Sequence, residues 1–140
     1  VPDLPAEEAG ILKKFCAEHN IYLIPLLAPT STDERISQAC NEAKGFIYCV
    51  SLTGVTGART ELQAGVPRLV NRIRKYTNLP ILVGFGVSKR KHVETIGRFA
   101  DGAVVASALL DSIGKVNKCD AVKTAQSFVS HLISASEKMN

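Results

Sequence analysis

The chain is predicted to fold as an α/β protein, with a parallel sheet assembled from successive strand–helix units. Three observations carry that prediction. Four short apolar runs rich in β-branched residues recur at spacings of about 20 to 35 residues. None of them alternates cleanly between apolar and polar, so each reads as a strand covered on both faces. The segments between them carry apolar residues at helical spacing.

Taken in order, Pro5 to His19 reads as a helix, with Pro5 and Glu7-Glu8 suited to its first turn. The first strand is Ile21 to Leu27. Ser31 or Thr32 can cap the next helix, Asp33 to Ala43, which places Ile36, Ala39, Cys40 and Ala43 on one face. Gly45 ends it, and Phe46 to Val50 is the second strand. Leu69, Val70, Ile73 and Tyr76 share a face of the following helix, which stops before Pro80. Ile81 to Val83 is the third strand, running into Gly84-Phe85-Gly86. Ser88 can cap a helix that carries Val93, Ile96 and Phe99. Ala103 to Ala106 is the fourth strand, followed by a short helix, Ala108 to Ile113, and a longer one from Asp120 to Lys138. The opening VPDLP reads as the exit of an earlier strand. Four strands are too few to close an eight-stranded barrel, so residues 1–140 are expected to form a single partial barrel domain.

Composition narrows the function classes. No apolar run approaches the roughly 20 residues needed to cross a bilayer, and the start at Val1 shows no basic segment followed by an apolar one. A cytoplasmic protein is expected. The formal charge is +4, with the basic residues scattered as pairs and densest at Lys89-Arg90-Lys91. That cluster lacks the aromatic partners or reading helix of a nucleic-acid site and reads as a solvated helix face. Cys16, Cys40, Cys49 and Cys119 form no C-x-x-C pair and have no histidine at ligand spacing; they read as small core residues in a reducing compartment, with no metal site. His19, His92 and His131 fall on helices, away from the strand exits.

In parallel strand–helix architectures reactive groups collect where strands run out into the following loops. These exits are Pro2-Asp3, Ala28 to Thr32, the stretch SLTGVTGART with Thr53, Gly54, Thr56 and Gly57, then Gly84 to Val87, and Ala106-Ser107. Glycines let backbone N–H groups approach an anion, so three of these exits together fit a phosphate cradle centred on Gly86 and Ser107. The same residues also fit plain tight turns. No acid–base pair accompanies them. Asp3 is the one carboxylate at an exit, and Asp101 precedes its strand and faces the opposite rim, so no catalytic residue is assigned.

VPDLPAEEA, LAPTSTDERI, GFIYCVSLTGVTGAR, LPILVGFGVS and ADGAVVASAL resemble, in order and spacing, the α subunit of tryptophan synthase. The resemblance runs from Val1 to about Ile113. It implies the C-terminal half of a TIM (β/α)8 barrel, from the exit of the fourth barrel strand onward. It also implies a lyase that cleaves indole-3-glycerol phosphate to indole and glyceraldehyde 3-phosphate in tryptophan biosynthesis. No cofactor belongs to this subunit; pyridoxal phosphate resides in the partner β subunit of an α2β2 assembly. Carried over by motif, Gly57, Phe85, Gly86, Ala106 and Ser107 would surround the substrate phosphate, and Tyr48 would point into the barrel near the substrate. Thr56 would sit in a loop that closes over the site and helps hold a catalytic carboxylate, making SLTGVTGART a lid. The chain departs from the family at Ala106, where glycine is usual, and at Leu52, where many members have arginine. The family's catalytic Glu and Asp have no counterpart in these 140 residues, so the chain alone is expected to be inactive. Two other readings share its features: a noncatalytic half-barrel that binds phosphate or a partner, and another phosphate-binding (β/α)8 biosynthetic enzyme.

Overall fold

A computed structural model describes residues 1, 4, 8–50, 59–84 and 86–133, with side chains left out of account at 59–64. The elements run α1 (Gly10–Glu18), β1 (Leu26–Leu27), α2 (Asp33–Glu42), β2 (Ile47–Val50), α3 (Arg59–Ile73), β3 (Ile81–Gly84), α4 (Arg90–Ile96), β4 (Gly102–Ala103), α5 (Ser107–Ile113), a 3-10 turn (Lys118–Asp120) and α6 (Ala121–Ile133). The strands form one parallel sheet in the order β1-β2-β3-β4. The expected α/β parallel architecture is the one observed.

Register explains how the sheet is covered. Leu27, Cys49, Val83 and Ala103 align across the four strands and face the helices. With Ile47 and Ile81 they meet Ile36, Ala39 and Cys40 of α2 and Val66, Leu69, Val70 and Ile73 of α3 in one core. Ile36, Ile47, Ile73 and Ile81 are fully buried there, each contributing about 2 kcal/mol relative to exposure. Leu26, Tyr48, Leu82 and Gly102 align on the opposite face and are only half-buried. The sequence predicts strands covered on both faces. Instead one face is packed by helices and the other, the concave side of a barrel wall, is not.

Two strands are shorter than expected. β1 retains only Leu26–Leu27, because it lies at the sheet edge and pairs with β2 alone, Pro25 accepting from the Tyr48 N–H at 3.0 Å. β4 is Gly102–Ala103 rather than Ala103–Ala106; Val104 still donates to Val83 at 2.8 Å, after which the chain turns into α5. α3 runs through Gly65 and Pro67. At Gly65 a methyl group would sit in ordinary contact with Pro29, 3.4 Å from its Cβ.

Helix starts differ in detail. Thr32 caps α2, its hydroxyl accepting from the Arg35 N–H at 3.3 Å, whereas Ser31 Oγ accepts from Ala28 and closes the β1 exit turn. Ser88 does not cap α4: the N-cap is Lys89, and the Ser88 N–H donates to His92 Nδ1 at 3.3 Å. The His92 ring thus ties the residue before the N-cap back to the first turn, and no side chain caps the helix amides. Tyr76, expected on the core face, lies past the end of α3 and is exposed. Of the four cysteines, Cys40 and Cys49 are core residues, while Cys16 is half-buried and Cys119 exposed.

The end of the sheet opposite the strand exits is fastened by one carboxylate. Asp101 accepts from the Ile81 N–H at 2.7 Å and from Arg74, and Arg74 also donates to Leu79 O at 3.1 Å. Asp101 therefore lies on the rim expected of it. The Ile81 N–H holds this carboxyl below the usual carboxylate range, against some opposing effect of burial and with further help from Arg74.

A lowered folded pKa means stability that is present above the unfolded Asp value of about 4 and fades as pH falls through the folded value. Asp101→Asn should lower unfolding free energy at pH 7 by about 1 kcal/mol, a modest figure because much of the side chain is in solvent. In urea titrations the gap to wild type should narrow steadily below pH 4; a gap independent of pH would refute the linkage. The thiols offer a second check. Burial raises the Cys40 thiol and pushes Cys49 up to about 12, the neighbouring Cys40 adding to the effect. At pH 8 a thiol-exchange reagent should label Cys119 at once and Cys49 only after unfolding.

Candidate functional site

Parallel strands in step deliver their exits to one rim. Val50 aligns with Gly84, and Val83 with Ala103, so the chain leaves β2, β3 and β4 at the same end, on strands spaced about 4.8 Å apart. Gly86 lies two residues beyond β3 with φ +75°, a left-handed conformation that glycine adopts without strain. It is exposed, while the next residue, Val87, is buried and anchors the loop. Ala106 precedes α5 and Ser107 is its first residue; both are exposed on the rim. The first α5 amide bonded back to the chain is Leu110, donating to Ala106 O at 3.0 Å, so the earlier N–H groups have no intrahelical acceptor.

Tyr48 stands on the concave face of β2. Its ring leans across β3 and lies over Gly84: a methyl group there would sit 2.5 Å from Tyr48 Cζ and nearer still to the hydroxyl. Val104 closes the same spot from β4, with its Cβ 3.1 Å from that methyl position. One layer along, Gly102 makes room for Leu82 in the same way, a methyl group there meeting Leu82 Cδ2 at 2.9 Å. Each large concave-side residue thus leans onto a glycine of the following strand. Burial raises the Tyr48 hydroxyl above its ordinary pKa, so the phenol stays neutral and able to donate.

Of the seven expected site residues, the structure places Tyr48, Gly86, Ala106 and Ser107 on the concave face or exit rim. Thr56, Gly57 and Phe85 lie outside the described residues, as do Leu52, Asp3 and the VPDLP exit apart from Val1 and Leu4. Gly84 was visible in the sequence as part of the GFG exit, but its job as the seat of Tyr48 was not. A sequence registers a small residue, and only the register shows what leans on it.

A cavity of about 1050 Å3 opens elsewhere, beside β1, lined by Cys16, Leu23, Leu26, Tyr48 and Val50 among others. It shares Tyr48 with the rim, but neither Gly86 nor Ser107 lines it. It follows the open edge of the sheet, and the charged groups around it include Lys13 and Glu42, which pair with each other. The glycine rim is therefore the better candidate for chemistry. Among the described residues no cluster of His, Cys, Asp or Glu has the makings of a metal site.

Residues 1–139 match the family model described as tryptophan synthase alpha chain. The chain belongs to the tryptophan synthase alpha chain family. It is 50% identical over 129 residues to the tryptophan synthase alpha chain of Roseiflexus castenholzii, covering 92% of this chain and 49% of that one. It is 44% identical to the Chloroflexus aggregans protein over 140 residues, 100% of this chain and 52% of the relative. Among solved structures, the tryptophan synthase a2b2 complex of Pyrococcus furiosus superposes with a TM-score of 0.79 at 36% identity, covering 96% of this chain and 54% of that one. The chain spans about half the length of the curated relatives it matches. The four-stranded parallel sheet with its helices is accordingly about half of a tryptophan synthase alpha TIM barrel.

The Tyr48–Gly84 contact predicts non-additive mutational behaviour. Gly84→Ala should destabilise this alpha-chain fold by about 1–3 kcal/mol through overpacking. Tyr48→Phe should relieve little, because the ring carbon itself is too close. Tyr48→Ala in the Gly84→Ala background should cost less than the sum of the single changes. Simple additivity in urea unfolding would show that the ring does not rest on Gly84.

Proposed function

We propose that this chain is the phosphate-binding part of an alpha chain that cleaves indole-3-glycerol phosphate to indole and glyceraldehyde 3-phosphate, a carbon–carbon lyase of tryptophan biosynthesis. The observation that carries the reading is the left-handed Gly86 on the shared exit rim of a chain that matches the family over residues 1–139. A glycine in that conformation exposes backbone N–H groups to an anion without a side chain in the way. In this reading Gly86, Ala106 and Ser107, with Gly57 and Phe85, surround the phosphate. Tyr48 borders the remainder of the substrate, and its neutral phenol adds no charge to oppose an anion. Thr56 belongs to the segment that covers the site.

The described carboxylates whose partners are known are engaged elsewhere: Glu42 pairs with Lys13. Asp33 is engaged by Arg72 on the helix side, and Asp101 is at the opposite rim. In this reading the 140 residues, taken as one partial barrel domain, supply the phosphate-binding part, and the acid–base carboxylates of the retro-aldol cleavage come from the family's other strands. The partner in this reading is a pyridoxal-phosphate-containing β subunit that consumes indole. The solved Pyrococcus furiosus relative is described as an a2b2 complex. The alpha chain itself uses no cofactor, and the setting is cytoplasmic.

Two measurements test this. An alpha chain comprising these residues together with the family's acid–base strands should release indole from indole-3-glycerol phosphate, while the 140 residues alone should release none. Absence of indole from the longer protein, with or without a β subunit, sinks the lyase assignment. For the cradle, titration with glycerol 3-phosphate should give saturable binding that Gly86→Val abolishes, since valine cannot hold φ +75° cheaply. Unchanged binding removes Gly86 from the site.

A further inference from the structure

Most of the large apolar side chains left exposed among the described residues lie on the two flanks of the sheet. β1 pairs with β2 alone and β4 with β3 alone, so the sheet has two free edges. On the β1 flank, Ile11 and Phe15, one turn apart on α1, are 77% and 57% exposed, and Ile21 and Tyr22 lead exposed into the strand. A cavity of about 1050 Å3 separates α1 from β1, with Cys16 and Ala17 on one side and Leu23 and Leu26 on the other. Beyond β4, Leu110 of α5 is exposed, and α6 turns Val122 and Val129, two turns apart, to solvent. The whole chain exposes 9749 Å2, against about 7000 Å2 for a compact monomer of 15.0 kDa. That difference covers the roughly 1000 to 2500 Å2 that each copy buries in an obligate homodimer.

Both edges are open to pairing. A residue in a parallel strand turns its N–H and C=O to the same side. Pro25 O accepts from the Tyr48 N–H, so the missing N–H of Pro25 is on the β2 side, and Ile24 and Leu26 present their backbone groups to the free edge. Pro25 therefore does not blunt that edge as an edge proline commonly does. We propose that the two edges take a second copy of this chain: β4 of each copy pairs in parallel with β1 of the other, and Val122 and Val129 of α6 meet Ile11 and Phe15 on α1 of the second copy. A two-fold axis along the strands keeps every strand in one direction, so both seams form at once and four strands from each copy make a closed ring of eight. Each copy supplies the edge and the apolar helix face that the other lacks, as a self-complementary contact requires. Closure removes both free edges and covers the half-buried layer of Leu26, Tyr48 and Leu82.

Sedimentation velocity on the 140-residue chain, over a wide range of concentration, should show a species of twice 15.0 kDa. A monomer throughout overturns the proposal, as do polymers that grow with concentration, since a seam that fails to close propagates. A monomer that pairs one-to-one with a polypeptide carrying the family's remaining strands assigns the edges to those strands and likewise overturns it. Phe15→Lys and Val129→Glu should each weaken self-association by about a hundredfold, because each change falls in both seams. Mixing the two variants should restore dimers: one seam of the mixed pair is unaltered, and the other sets lysine against glutamate. Restored dimers also show that both variants fold. A mixture that stays monomeric, or either variant associating as wild type does, overturns the contact between α6 and the second copy's α1.

Discussion

The structure depends on one-sided burial of a parallel sheet. Ile47, Cys49, Ile81 and Val83 face α2 and α3 and are essentially sealed from water, and this apolar layer fixes the register of β2 against β3. Because side chains alternate along a strand, the same register decides which residues face the concave side. A slip of one residue between β2 and β3 would put Tyr48 among the helices and move Gly84 off its ring. The placement of the candidate site is thus a by-product of where the isoleucines and valines find cover.

The concave face follows a second constraint, set by space rather than by transfer from water. A barrel wall narrows on its inner side, and the layers there need large residues opposite small ones. Tyr48 over Gly84 and Leu82 over Gly102 are two instances of one solution, each leaning toward the next strand in the sheet. The tyrosine instance has a chemical consequence. By covering Gly84 the ring brings a neutral phenol to the end of β3 that precedes Gly86, so a packing requirement also shapes the wall of the proposed anion site.

This division explains what could be read from the sequence. The helix-facing layer was legible because burial demands apolar residues in periodic patterns, and Ile36, Ala39, Cys40, Leu69, Val70 and Ile73 occupy the faces their spacing implies. The exit rim was legible through glycines and through the resemblance in its motifs. What escaped was everything decided by contacts distant in sequence. The half-exposed face of Leu26, Tyr48 and Leu82 reads like a fully buried strand, because those residues are apolar whether or not a given stretch of chain covers them. That Ser88 leaves α4 uncapped and gives its own N–H to the His92 ring could not be foreseen either, since spacing alone admits a cap.

The fastened end and the proposed binding end are opposite ends of the same four strands. At one end Asp101 gathers Ile81 and Arg74 into a fixed junction, with the charges paired and the carboxyl held ionised. At the other end the chain leaves β3 and β4 through glycine, alanine and serine. On the proposed reading that rim offers an anion backbone N–H groups, whereas the first rim presents the closed Arg74–Asp101 pair. Because the strands are parallel, the fastened end and the proposed binding end are separated by the length of the sheet rather than mixed along it.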